Sequence, residues 1–110
     1  MPTTDAETPE APASNPASEL IPQSFMLGGI TWAVKLVDEM DVCGRCLRDE
    51  ATIKINRSYP AQIQAATFFH ELLHAIEYAR GIPAESHNEV DIDARSAFLH
   101  QFVATQWGAA

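Results

Sequence analysis

Positive charge is scarce in this sequence. Seven Lys and Arg stand against fifteen Asp and Glu, a formal net charge of −8. The first twenty residues hold four of the acids (Asp5, Glu7, Glu10, Glu19) and no base. Phosphate binding needs a basic face, so nucleic acid is excluded as the principal partner. Long apolar runs are also missing. None approaches the ~20 residues of a membrane span, and the N-terminal stretch lacks the basic and apolar regions of a secretory signal. Together these absences predict a cytoplasmic protein with no membrane partner.

Cysteine is limited to two residues, Cys43 and Cys46. That is too few for a disulfide framework, and a Cys₄ zinc site would need two more thiols. A thioredoxin-type redox pair needs a strand-to-helix context, whereas Cys43-Gly44-Arg45-Cys46 lies between predicted strands. The pattern is read as a turn carrying two reduced thiols, with mixed Cys/His ligation as the alternative.

A chain of 110 residues allows one small domain. Four of the seven prolines fall in residues 1–20, among Ala, Ser, Thr and Glu. Such a segment cannot bury enough apolar area to offset its ordering entropy and reads as a disordered acidic tail. The domain is then 21–110. Ser24 to Asp38 predicts a hairpin turning on Gly28-Gly29, with the even positions Ile30, Trp32, Val34 and Leu36 facing the helices. Asp38 to Glu50 reads as a polar connection and Ala51 to Asn56 as a third strand. A helix follows from Pro60 to Arg80, capped by Ser58 and stopped by Gly81 and Pro83. A second helix runs from His87 or Asn88 to Trp107, burying Ile92, Leu99, Val103 and Trp107. The expected fold is α+β in the order β-β-β-α-α.

The first helix carries the most specific pattern in the chain, His70-Glu71-Leu72-Leu73-His74. Residues four apart share a helix face, so both histidines can aim a ring nitrogen at one ion. Imidazole suits Zn²⁺, and two such ligands on a rigid rod make half a site. Glu71 sits about 100° around the helix, where it can flank the ion and take a proton from water held there. By chance this pattern arises in a chain so short on the order of once in several hundred. Phe69, Leu72, Leu73 and Ile76 form an apolar stripe beside it, with Phe68, Ala75 and Ala79 as a second flank.

A tetrahedral catalytic zinc needs a third protein ligand. The second helix offers Glu89, Asp91 and Asp93, of which Glu89 and Asp93 share a face and Asp91 points away. These acids could equally cap the helix through its dipole. His87 reads as an exposed loop histidine, or else as a substitute ligand or oxyanion donor. Tyr78, one turn beyond His74, either donates to an oxyanion or packs on the sheet. His100 lies roughly 16 Å along the helix from Glu89 and reads as a buried, hydrogen-bonded histidine.

The run Phe69 to Ala75 resembles the active-site helix of zincin metallopeptidases. From Phe25 to Trp107 the element order is similar to small phage- and prophage-type metallopeptidases, themselves close to minimal gluzincins and more distantly to the ImmA/IrrE group. The resemblance implies a zincin-like fold and Zn²⁺-dependent hydrolysis of a peptide or protein substrate, in the cytoplasm of a phage's bacterial host. It implies that Glu89 is the third ligand and that Asp93 orients His70 from outside, with Asp93 as ligand the rival assignment. It also implies that an edge strand, 30–38 or 51–56, receives the substrate. A non-catalytic, zinc-stabilised interaction module is the competing function, and hydrolysis of a non-peptide substrate is a third.

Overall fold

The computed structural model of the chain describes residues 20–38 and 40–108, the last two by backbone alone. The expectation for the N-terminal tail lies outside the described residues, except at Leu20, which packs with Ile21 against the core. The expected hairpin consists of β1 (Ser24–Leu27) and β2 (Ile30–Val37), paired so that Phe25 faces Trp32. Gly28 and Gly29 turn it at φ 57° and 82°, and two successive positive φ angles are what a two-residue hairpin of matching twist requires.

The sheet has four strands, which corrects the expected three. Within the supposed polar connection lies β3 (Gly44–Leu47), followed by a 3₁₀ turn and then β4 (Thr52–Asn56). Gly44-Arg45-Cys46-Leu47 has no β-branched residue and no apolar alternation, so local preference does not mark it. Pairing marks it instead: β3 runs antiparallel to β4, with Cys46 opposite Ile53 and Gly44 opposite Ile55. The strand order is β1-β2-β4-β3, with β2 and β4 parallel. Both segments expected to be edges are therefore internal, and β3 is the edge beside α1.

The Cys-x-x-Cys segment is consequently extended and not a turn. Three extended residues separate Cys43 from Cys46 by roughly 10 Å, too far for a disulfide in this conformation. Both thiols are free.

One face of the sheet carries Phe25, Trp32, Val34, Ile53 and Ile55 against the helices. The expectation for the even positions of β2 holds at the strand's centre. Trp32 is 4% exposed, while Ile30 and Leu36 near the two ends are 57% and 39% exposed. Helix α1 (Ala61–Ala79) buries Phe68, Phe69, Leu73 and Ala75, but Ala79 is exposed. Pro60, not Ser58, occupies the cap position. Ser58 instead donates from its N–H and hydroxyl to Asn56 Oδ1 at 2.9 and 2.7 Å. The buried Asn56 amide in turn donates to the Met40 and Val42 carbonyls, which fixes the approach to β3.

The first helix ends at Gly81, where Ile82 N–H reaches the Glu77 carbonyl at 3.0 Å and Gly81 N–H that of Tyr78 at 2.9 Å. Helix α2 (Glu89–Val103) starts at Asn88, whose side chain accepts from Asp91 N–H at 3.0 Å. It ends before the expected Trp107, passing into a π-helical turn over Ala104–Gly108. Ile92 is fully buried, and Leu99 and Val103 pack on the core; the Trp107 side chain lies outside the described residues. Glu77, buried on α1, meets Arg80 at 2.6 Å and Arg95 of α2 at 3.8 Å, which helps register the two helices. No helix among the described residues is long and apolar enough to cross a membrane.

Candidate metal centre

The helical hairpin α1–α2 brings three of the expected side chains to one point. His70, His74 and Glu89 each offer a donor atom, and these atoms lie within 4.8 Å of one another. His70 Nε2 is 3.2 Å from Glu89 Oε1, and His74 Nε2 is 2.8 Å from Glu89 Oε2. Donors around a tetrahedral Zn²⁺ at about 2.1 Å stand roughly 3.4 Å apart, so small adjustments would admit an ion.

The chemistry of the donor set favours a cation. Asp93 Oδ1 lies 2.8 Å from His70 Nδ1. A carboxylate only accepts, so in the neutral ring Nδ1 carries the proton and Nε2 presents a lone pair to another carboxylate. Two acceptors face each other there unless a positive charge sits between them. Burial lowers the pKa of His74, so that ring resists supplying the charge as its own proton. Asp91 is turned away toward Arg95 at 2.9 Å.

Glu71 lines two clefts that meet at Gly44. One, of about 480 Å³, runs between β3 and the helices over Ile63, Ala66, Thr67 and Ala97 and reaches His70 and Asp93. The other, of about 320 Å³, is more polar and holds His74, Tyr78, His87 and Glu89. Desolvation pushes the Glu71 carboxyl up to about 6, with Glu89 adding to the rise while His70 and Arg45 oppose it. The same burial, with Glu71 nearby, drives the Cys46 thiol up to about 12, which keeps it an unreactive thiol.

Gly44 is a site residue that the sequence reading missed. A Cβ there would stand 2.5 Å from the Thr67 methyl and 3.0 Å from the Lys54 carbonyl oxygen. Only glycine lets the edge strand lie this close to α1. The signal available was a glycine inside a thirteen-residue connection, longer than most loops and so able to hold a strand.

His87 was expected in an exposed loop but is half-buried. Its ring stacks on His74 at 5.0 Å and 21°, and Tyr78 lies 4.6 Å from it on the other contact. The Tyr78 ring also faces the Arg48 guanidinium at 5.6 Å. Burial and nearby Cys46 raise the Tyr78 pKa, so its hydroxyl stays a donor. His100 stacks on Phe69 at 5.3 Å, away from the cluster.

Glu89 touches both histidines and Asp93 touches one from outside. Glu89→Gln is therefore expected to lower metal affinity more than Asp93→Asn, for which loss of an outer partner typically costs about 10–100-fold. Metal content after dialysis separates them, and the opposite ranking would exchange the two roles. The chain matches no protein-family model, no curated protein and no solved structure.

Proposed function

We propose that this chain is a zinc-dependent metallopeptidase of zincin type, with His70, His74 and Glu89 as ligands and Glu71 as general base. The observation that carries this reading is the convergence of two Nε2 atoms and one carboxylate beside a half-buried second carboxylate, at the meeting point of two clefts. A His₂Glu set leaves one tetrahedral position for water or substrate, the hallmark of a catalytic zinc. When bound, Zn²⁺ supplies Lewis-acid polarisation of a carbonyl and lowers the pKa of water toward neutrality.

The chain's own groups supply the rest. Glu71 takes the proton of the attacking water and returns it to the leaving amine, a role suited to a carboxyl raised toward neutral pH. Tyr78 donates its hydroxyl to the developing oxyanion from the polar cleft. The edge strand β3 orients the substrate. Cys43 C=O accepts from Asn56 N–H in the ladder with β4, so by alternation the backbone groups of Gly44 and Cys46 point to the open edge. An extended peptide adding there passes Glu71 on its way from one cleft to the other. The proposed compartment is the cytoplasm, where the exposed Cys43 thiol stays reduced.

The test is to strip the protein with chelator, reload it with zinc, and read a peptide library by mass spectrometry. Cleavage confined to the reloaded sample supports the peptidase. For a selective enzyme, Glu71→Gln serves as bait, and its captured partner is offered to wild type. A partner held equally by both forms and never cut would make this an interaction module stabilised by metal.

A further inference from the structure

We infer that His87 is a positioning residue that decides which nitrogen of His74 carries the proton, and thereby keeps His74 Nε2 bare toward Glu89. The inference rests on the metal-centre reading of the same site, because a bare His74 Nε2 facing the Glu89 carboxylate needs a cation between them.

The Ile82 carbonyl oxygen lies 2.9 Å from His87 Nε2. A backbone carbonyl only accepts, so His87 Nε2 carries a proton and donates it. In the neutral ring His87 Nδ1 is then an acceptor, and it lies 2.7 Å from His74 Nδ1. His74 Nδ1 must therefore carry the proton of that contact. His74 Nε2 is left with its lone pair, 2.8 Å from Glu89 Oε2. Reversing the chain would set a bare His87 Nε2 against the Ile82 oxygen, two acceptors at hydrogen-bonding distance. Without a cation either order leaves one pair of acceptors, at Ile82 or at Glu89; a cation on His74 Nε2 relieves only the pair at Glu89 and so selects this order.

Two further observations explain why the arrangement is held. His87 and Glu89 are two residues apart and grip opposite nitrogens of one ring, so the loop that carries the third donor is registered on His74 itself. The loop's start is fixed at the C-terminus of α1, where Ile82 N–H bonds the Glu77 carbonyl. Ile82 thus ties the helix end through its N–H and the relay through its C=O. His70 has a carboxylate, Asp93, in the corresponding outer position. His74 has a neutral imidazole there, which orients the ring without adding a charge to a cluster that already contains Glu71, Glu89 and Asp93.

The experiment reads tautomers directly. Two-bond ¹H–¹⁵N correlation spectra of ¹⁵N-labelled, zinc-loaded protein at pH 8 should show the His74 proton on Nδ1 and the His87 proton on Nε2. His87→Phe keeps a stacking ring but removes both hydrogen bonds. Zinc affinity should then fall about 10–100-fold. His87→Gln offers an oxygen to His74 and an N–H to Ile82, and should recover most of that affinity. A His87 ring with its proton on Nδ1 in the zinc-loaded wild type would overturn the inference. So would His87→Phe with wild-type zinc affinity. Should His87→Phe not fold, the wild-type spectrum and His87→Gln still decide. A wild type that binds no zinc would sink the metal-centre reading and this inference with it, whereas a zinc-binding wild type with His87→Phe unchanged would sink the inference alone.

Discussion

Glu71→Gln is expected to cut peptide hydrolysis by about 10²–10⁴-fold, the usual worth of a general acid–base, while zinc content and fold are kept. Gln matches Glu in size but cannot accept the proton, and Glu71 belongs to neither set of contacts that joins His70 and His74 to Glu89. Substrate binding along β3 should survive, so the loss should appear in kcat and leave KM nearly unchanged. Stability supplies a readout that needs no substrate. Burial raises the Glu71 pKa from 4.5 to about 6, so in stripped protein the folded state holds that proton more tightly than the unfolded chain. Stability is then fully present below about 4.5 and is lost as pH rises through about 6. Removing the charge should raise the Tm of the stripped variant above wild type at pH 8, with the difference vanishing near pH 4. A variant less stable than wild type at pH 8 would assign Glu71 to the fold instead.

Zinc at a thousandfold excess over Kd is expected to raise the Tm of wild type by roughly 15–30 °C, and His74→Ala should abolish most of that rise. Such an excess stabilises by about 4.1 kcal/mol when the ligand binds the folded state alone. In a domain of this size each kcal/mol moves Tm by roughly 4–8 °C. The donors come from both helices, and unfolding separates them. The rise should shrink toward acid pH, because histidine ligands must give up their protons. A calorimetric scan with and without zinc measures all of this. An undiminished rise in His74→Ala would place the ion elsewhere.

The convergence of His70 and His74 was legible because a helix converts a four-residue spacing into a shared face without help from the rest of the chain. Both helices and the Gly28-Gly29 hairpin were legible for the same reason: capping, periodicity and turn chemistry are local. What escaped was non-local. β3 has no strand propensity of its own and exists through its register with Ile53 and Ile55. Missing it turned β4 into an edge and the Cys-x-x-Cys segment into a turn. Ser58 offered the right chemistry for a cap, but Asn56 two residues earlier captured its hydroxyl. His87 looked like a loop residue because the return path of the chain to His74 is set by Ile82 and Gly81, which no periodicity records.

The division of labour between hairpin and sheet has a consequence for how such a protein can change. Every donor, and every group that orients a donor, lies on the twenty-four residues from His70 to Asp93. The sheet contributes none of them. In the proposed reading its edge strand contributes only a track for substrate, whose outward residue Arg45 pairs with Asp41 on the surface. Substitutions along that track can alter what is recognised while the ligand set stays intact, apart from Gly44, where the approach to Thr67 leaves no space. Selectivity and metal binding can therefore drift independently, with a single glycine as the hinge between the two histories.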